Sequence, residues 1–348
     1  MENSSKSDQL RWGIVATVDE PLVLLAAFVA HHLSLGADRI YLYLDRANPE
    51  TEAFFQAEPC VDIIVCDAAY WAGFGNRPKV HVRRQLINAR DAYDRADVDW
   101  LLHCDGDEFL LFKHDLRTEL AALPGTALSM RVINTERVWL QGHPRTSIFS
   151  GARRHPFRRQ KGGGWDIYGA SDLFLRQGIL GYGAGKCFAR TGKNLFPGIH
   201  STKRRGADNW VDHASSVHGW ESSAGQLVHF DGLTPLHWQV KLLRKSHAMF
   251  NKDRLSERVG EARMAQIEFV LEHRGDPAMV AELHDTLRVL DPELSERLRA
   301  LSLLEDMGFD VAATTAHRFP DAGLDLSEEA FDGWLAQEFP EVVAELRE

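Results

Sequence analysis

Between residues 10 and 112 short apolar runs alternate with segments of helical character, and this alternation constrains the fold more than any other feature of the chain. Residues 10–18 (LRWGIVATV) are apolar and β-branched and stop at Asp19 and Glu20. Residues 21–35 follow as a largely buried helix, with Pro21 in its first turn and Gly36 past its end. A second strand over 39–44 (RIYLYL) ends at Asp45. After it come a short helix over 51–57, a third strand over 61–65 and a helix over 80–95. A fourth strand over 100–104 runs into Asp105-Gly106-Asp107-Glu108. Strands and helices at this spacing build βαβ units, hence an α/β fold with a parallel-core sheet flanked by helices. In such sheets the ligand crevice lies beyond the carboxyl ends of the strands. A single acid at a strand end reads as a helix cap or a turn residue. Three strands ending in acid on one edge point to a site.

Composition narrows the class. The 348 residues, 44% hydrophobic and 26% charged, are those of a soluble globular chain of about two domains. The longest apolar run, residues 22–30, falls well short of the ~20 residues a spanning helix needs. The opening MENSSKSDQLRWG has no apolar core of the kind a secretory leader carries, and the four cysteines form no C-x-x-C pair. Free thiols and a cytoplasmic location are the expectation. The net charge of -10 is unevenly spread: residues 150–206 carry twelve Lys or Arg against two Asp, and residues 255–348 eight against twenty-two acids. Overall acidity without a recognisable motif argues against nucleic acid as a partner. Within the basic stretch, Arg153, Arg154, Arg158, Arg159 and Lys161 are expected to meet an anionic acceptor or the inner face of a membrane.

After residue 112 the pattern changes. Strands are expected over 127–132 and 137–140, then loops through the Gly- and Arg-rich stretch 151–185, a candidate lid. From residue 236 the chain reads as helical, with Leu242, Leu255, Val259, Ile267, Val270 and Leu271 in one apolar series. The expected organisation is a domain over 8–235, split near 112 into two halves, followed by a helical region over 236–348.

The most informative segment is WLLHCDGDEFLLF, residues 100–112. On extended backbone a D-x-D places both side chains on one side, where both reach one hard cation. Oxygen ligands select Mg²⁺ or Mn²⁺, which keep positions open for phosphate oxygens. A cation on a diphosphate neutralises charge that builds on a departing phosphate.

These residues resemble a glycosyltransferase of the A-type nucleotide-diphospho-sugar fold, close to the bacterial family-2-like branch with a W-x4-D-x-D-E-F segment. The matching stretches are Asp19-Glu20, HHLSLGADRIYLYLD ending at Asp45, and WLLHCDGDEFLL. The family's usual Asn at the first strand end is Asp19 here. The resemblance implies that Asp19, Glu20 and Asp45 line the nucleoside pocket and that Asp105 and Asp107 hold the metal on the donor diphosphate. Glu108 it leaves as a structural partner. Lys186, with Arg190, is a candidate for the diphosphate. His229 or His200 is a candidate to complete the metal shell, each also readable as a core or surface histidine. Inverting transfer, implied by the resemblance alone, needs a general base. Asp166 is the choice between the two acids of the basic stretch, the other being Asp172. Arg83, with Lys79 and Arg84 near the start of the helix over 80–95, meets a nucleotide phosphate or lies on a solvated face.

The expected activity is metal-dependent transfer of a sugar from a nucleotide-diphosphate-sugar donor to a glycan or lipid-linked acceptor, in polysaccharide assembly. Two rivals stand beside it. A sugar nucleotidyltransferase shares the sheet and carboxylates but opens with a Gly-rich basic loop where this chain has ATVDEPLV. A degenerate nucleotide- or glycan-binding domain is disfavoured by the intact Asp105 and Asp107.

Overall fold

The structure, a computed structural model, describes residues 10–157, 163–206, 211–217, 219–247 and 260–346. Arg158, Arg159, Lys161, Leu255 and Val259 lie outside the described residues. The fold is mixed α/β, with a central, largely parallel sheet flanked by helices. The chain packs as two units that interleave in sequence. The first comprises residues 1–133, 184–227 and 314–320, and the second residues 134–183, 228–313 and 321–348.

In the first unit, β1 (Trp12–Val18) is buried at all seven positions. It is followed by α1 (Leu22–Ser34), β2 (Arg39–Leu44), α2 (Pro49–Phe55), β3 (Val61–Val65), α3 (Ala68–Ala72), α4 (His81–Arg95) and β4 (Trp100–His103). β1 pairs in parallel with β2 from Gly13 against Arg39, and with β4 from Trp12 against Trp100. β3 extends the parallel set beyond β2, from Ile40 against Val61. Beyond β4 the direction reverses: the strand Lys186–Arg190 runs antiparallel to it, Trp100 against Arg190. The first residues of β6 (Ser129–Leu140), reached through β5 (Glu108–Phe112), pair antiparallel with that strand, Ser129 against Ala189.

The helices cover the sheet because their composition leaves no alternative. α1 is apolar almost all round and buries every residue from Leu24 to His32. Its two histidines are stitched to β5: His31 Nε2 lies 2.7 Å from the Leu110 carbonyl oxygen, and the Leu110 N–H donates to His32 Nε2 at 3.3 Å. Burial pushes His31 down to about 4, so it stays neutral. α4 turns Arg84, Gln85, Asn88 and Tyr93 inward and exposes His81, Val82 and Arg83. Ile87, Ala89 and Ala92 join Val15, Tyr41, Tyr43, Trp71 and Leu101 in one core cluster. Gly185 must be glycine: its φ is +68°, and a Cβ would sit 2.1 Å from the Val132 carbonyl oxygen. That close approach lets the chain enter the strand that begins with Lys186.

In the second unit the later residues of β6 pair antiparallel with Ala152–Arg154, Glu136 against Arg154. Ala152–Arg154 in turn pairs antiparallel with Leu304–Asp306. The two strands expected over 127–132 and 137–140 are one continuous strand, because the polar residues between them are buried rather than looped out. Glu136 is fully buried, accepts from the Leu180 and Gly181 N–H groups and pairs with Arg154 at 3.0 Å. Burial pushes its carboxyl up, but the Arg288 and Arg154 guanidiniums outweigh this and hold it below the ordinary range. Arg153 is 6% and Arg154 1% exposed, so neither forms the basic surface expected of the 150–161 stretch. Arg153 Nε donates to the Asp306 carbonyl oxygen at 2.8 Å, and its NH2 pairs with Glu305. The stretch expected to be loops contains a helix, Gly163–Tyr168, and a 3₁₀ turn, Gly169–Phe174. Among the described residues the region after 235 is mainly helical, with two short strands, Val289–Leu290 and Leu304–Asp306.

All four cysteines are free thiols, three of them buried. No described helix is long and apolar enough to cross a membrane.

Candidate active site

The carboxyl ends of β1, β2 and β4 bring Asp19, Glu20, Asp45, Asp105 and Asp107 to one edge of the first unit. Each has a different environment.

The D-x-D differs from the expectation of extended backbone. Gly106 and Asp107 lie in a turn between β4 and β5, closed by the Glu108 N–H donating to the Asp105 carbonyl oxygen at 3.1 Å. The Asp105 carboxylate is held from two sides: Gln85 Nε2 donates to Oδ1 at 2.8 Å and Lys186 Nζ donates to Oδ2 at 2.8 Å. Lys186 is completely buried, and its ammonium also lies 3.3 Å from Oε2 of the equally buried Glu108. Glu108 Oε2 accepts the Asp105 N–H at 2.8 Å. Burial pushes the Asp105 carboxyl up, but Lys186 outweighs it and holds the group well below the usual carboxylate range. The same pairing, with Asp105 first and Glu108 second, overcomes the effect of burial on Lys186 and raises its affinity for its proton. Lys186 is thus a fixed internal cation, acting on the edge through Asp105 rather than by direct approach.

Asp107, 8% exposed, sits on the other arm of the turn. Glu20 closes over the turn: a Cβ at Gly106 would stand 3.1 Å from its carboxyl carbon, so glycine there leaves room for the carboxylate. Glu20 Oε2 accepts the Asp19 N–H at 2.7 Å. Burial, and then the negative charge of Asp107, push the Glu20 carboxyl up to about 7. Because this value is raised above that of the unfolded chain, ionising Glu20 opposes folding as pH rises from about 4.5 through 7. Glu20→Gln is therefore expected to melt higher than the parent at pH 8 in metal-free buffer, with the difference closing by pH 5. Equal melting curves across that range would refute this electrostatic picture.

Asp45 is consumed by arginine. Arg84 Nε and NH2 donate to its two carboxylate oxygens at 2.6 and 2.5 Å, and Arg77 NH2 lies 3.1 Å from Oδ1. Burial raises its carboxyl, and the Arg84 bonds and charge more than reverse that. Asp45 thereby anchors the start of α4 at this edge. Asp19 pairs with Arg46 Nε at 2.6 Å. Arg83 is exposed on the first turn of α4. Arg190 donates Nε to the Ala127 carbonyl oxygen at 2.8 Å and lies over the Trp100 ring.

Of the histidines, His200 lies in the first unit with Nδ1 3.3 Å from the Gly185 carbonyl oxygen. His229 belongs to the second unit, 7% exposed, its ring 5.6 Å from that of Tyr182. Asp166 also belongs to the second unit. It is exposed, and its backbone carbonyl accepts from Arg297 NH2 at 2.6 Å. Sequence reasoning did not find Gln85, since an amide one residue after a buried arginine carries no signal of its own.

Glu20, Asp105 and Asp107 offer only oxygen, the donor type that suits Mg²⁺ or Mn²⁺. Among the described residues no group of three His, Cys, Asp or Glu is arranged as a metal cage. Burial is the larger cause of the raised Glu20 carboxyl, and the added repulsion from Asp107 is what a shared cation would relieve. A cation held by only two or three such carboxylates would have to take its other ligands from a diphosphate and water.

No family model matches the sequence, and no curated protein matches it. Among solved structures, HddC from Yersinia pseudotuberculosis aligns over 37% of this chain and 60% of its own, at 14% identity and a TM-score of 0.26. The galactosyltransferase LgtC, in complex with donor and acceptor sugar analogues, aligns over 51% of this chain and 57% of its own, at 17% identity and a TM-score of 0.25. S. aureus TarS 1–349 aligns over 97% of this chain and 89% of its own, at 9% identity and a TM-score of 0.32. The chain thus spans about three-fifths of the length of the first two.

Proposed function

We propose that the chain is a glycosyltransferase that uses a nucleotide-diphosphate-sugar donor and a glycan or lipid-linked acceptor. The observation that carries the reading is the division of labour around the Asp105–Glu108 turn. Lys186 and Gln85 fix Asp105, while the half-buried Glu20 carboxylate lies over Gly106 close enough to the buried Asp107 to feel its charge. A hydrolytic pair of this kind would need one carboxyl held as acid and one as base across an open cleft. Here the Glu20 carboxylate lies against Gly106, the residue between the two aspartates, an arrangement suited to a shared cation.

Asp107 and Glu20 would hold Mn²⁺ or Mg²⁺, with Asp105 beside them, and the ion would neutralise charge on the departing nucleoside diphosphate. The chain's own part is orientation. Lys186 keeps Asp105 ionised and in place, and the Glu108 carboxylate ties the turn's backbone to the same ammonium. The Arg84–Asp45 pair fixes the helix that supplies Gln85.

A panel of nucleoside diphosphates, each with and without Mn²⁺, tests the reading by thermal shift. A ligand bound only by the folded state at about 100 times its Kd adds about 2.7 kcal/mol, a rise of several degrees. At least one nucleotide is expected to raise the melting temperature, and more so with Mn²⁺. A panel in which none does, with or without metal, would contradict the proposal.

A further inference from the structure

Residues 68–90, from α3 into α4, contain no acidic residue and carry Arg77, Lys79, Arg83, Arg84 and Arg90, in a chain whose net charge is -10. Within this stretch three apolar side chains face solvent together with Arg77, Lys79 and Arg83: Phe74 is 38% exposed, Val80 52% and Val82 49%. Every residue from 72 to 83 except Pro78 is exposed. Apolar side chains scattered singly on a surface need no explanation, but three within nine residues, interleaved with Arg77, Lys79 and Arg83, form an amphipathic patch.

The patch has a firm base. The Phe74 ring lies 5.1 Å from Tyr70, and the Phe74 N–H donates to the Trp71 carbonyl oxygen at 2.9 Å. Arg77 reaches back to Asp45 at 3.1 Å, and Arg84 NH1 donates to the Pro78 and Lys79 carbonyl oxygens. The patch therefore sits at the same sheet edge as the carboxylates, one helical turn from the Gln85 that binds Asp105.

We propose that residues 74–83 form an interfacial patch that seats the first unit on an anionic lipid surface. Soluble phosphate would account for the cations but gives no reason to expose Phe74, Val80 and Val82. A bilayer interface takes both, the Phe74 ring and the two valines at the acyl boundary and the cations among the headgroups. This goes beyond the transfer reading and stands without it, since it concerns a surface and not the reaction.

The full chain is mixed with vesicles of phosphatidylcholine alone and of phosphatidylcholine with one-third phosphatidylglycerol, and the bound fraction is read by flotation. Binding to the anionic vesicles only is expected, falling as salt shortens the Debye length from ~10 Å at 0.1 M to ~3 Å at 1 M. Each basic residue near such a surface multiplies partitioning about fivefold, so Lys79→Glu should weaken binding at least that much. The combined Phe74→Ser, Val80→Ser and Val82→Ser variant should weaken it about tenfold or more. Val80 occupies the cap position of α4 without a capping side chain, and serine there favours the helix, so the Val80→Ser and Val82→Ser pair, which spares the Phe74–Tyr70 contact, is expected to keep the parent melting curve and still bind more weakly. No binding to anionic vesicles at low salt would overturn the proposal. So would a folded serine variant that binds like the parent.

Discussion

Lys186→Met is expected to cost about 3–5 kcal/mol of stability at pH 7, because it leaves Asp105 and Glu108 without the ammonium they share. The size follows from burial. Lys186 and Glu108 are fully buried, and removing one member of a buried ion pair strands the other charge in a medium that solvates it poorly. The pH dependence separates this cause from a packing defect. In the parent the Asp105 carboxyl is held below its unfolded value, so its contribution is fully present above that value, about 4, and is lost on further acidification. Lys186 is raised, so its contribution is present below its unfolded value of about 10.5 and is lost only at higher pH. In the methionine variant the stranded carboxylates are relieved by protonation. The deficit should therefore shrink as pH falls from 7 toward 4, in urea denaturation at matched ionic strength. A deficit that stays constant over that range would mean that methionine merely packs badly and that the ion triad contributes little.

The parallel core was legible from sequence because its signal is local. The strands at 39–44 and 61–65 are apolar, β-branched runs bounded by turn residues, and β2 and β3 have those limits. What escaped depends on partners distant in the chain. Glu136 looks like a loop residue until Arg154 and the Leu180 and Gly181 N–H groups arrive to bury it within β6. Lys186 reads as a phosphate ligand because nothing in GKCFART says that its ammonium will be claimed by carboxylates some 80 positions earlier. The D-x-D spacing suggested an extended strand, yet a glycine between two acids serves equally well in a turn, and the turn is what admits Glu20. Strands of two or three residues, such as Val289–Leu290, are too short for any periodicity to register. Asp19, Glu20, Asp45, Asp105 and Asp107 do share one edge, as the strand ends implied. Their individual tasks came only from the side chains that pack around them.

Asp107→Asn is expected to lower transfer about a hundredfold or more, because it removes one of the carboxylate charges available to a cation while keeping the side chain's shape. Its melting temperature should not fall, since the substitution also relieves the repulsion that raises Glu20. The most direct measurement is release of nucleoside diphosphate from a panel of nucleotide sugars, with water or short glycans as acceptors. Parent and Asp107→Asn are compared in Mn²⁺ and in excess chelator. The account predicts release from at least one donor by the parent in Mn²⁺, with loss in chelator and in the variant. No release from any donor, or release that survives both chelator and the substitution, would contradict it.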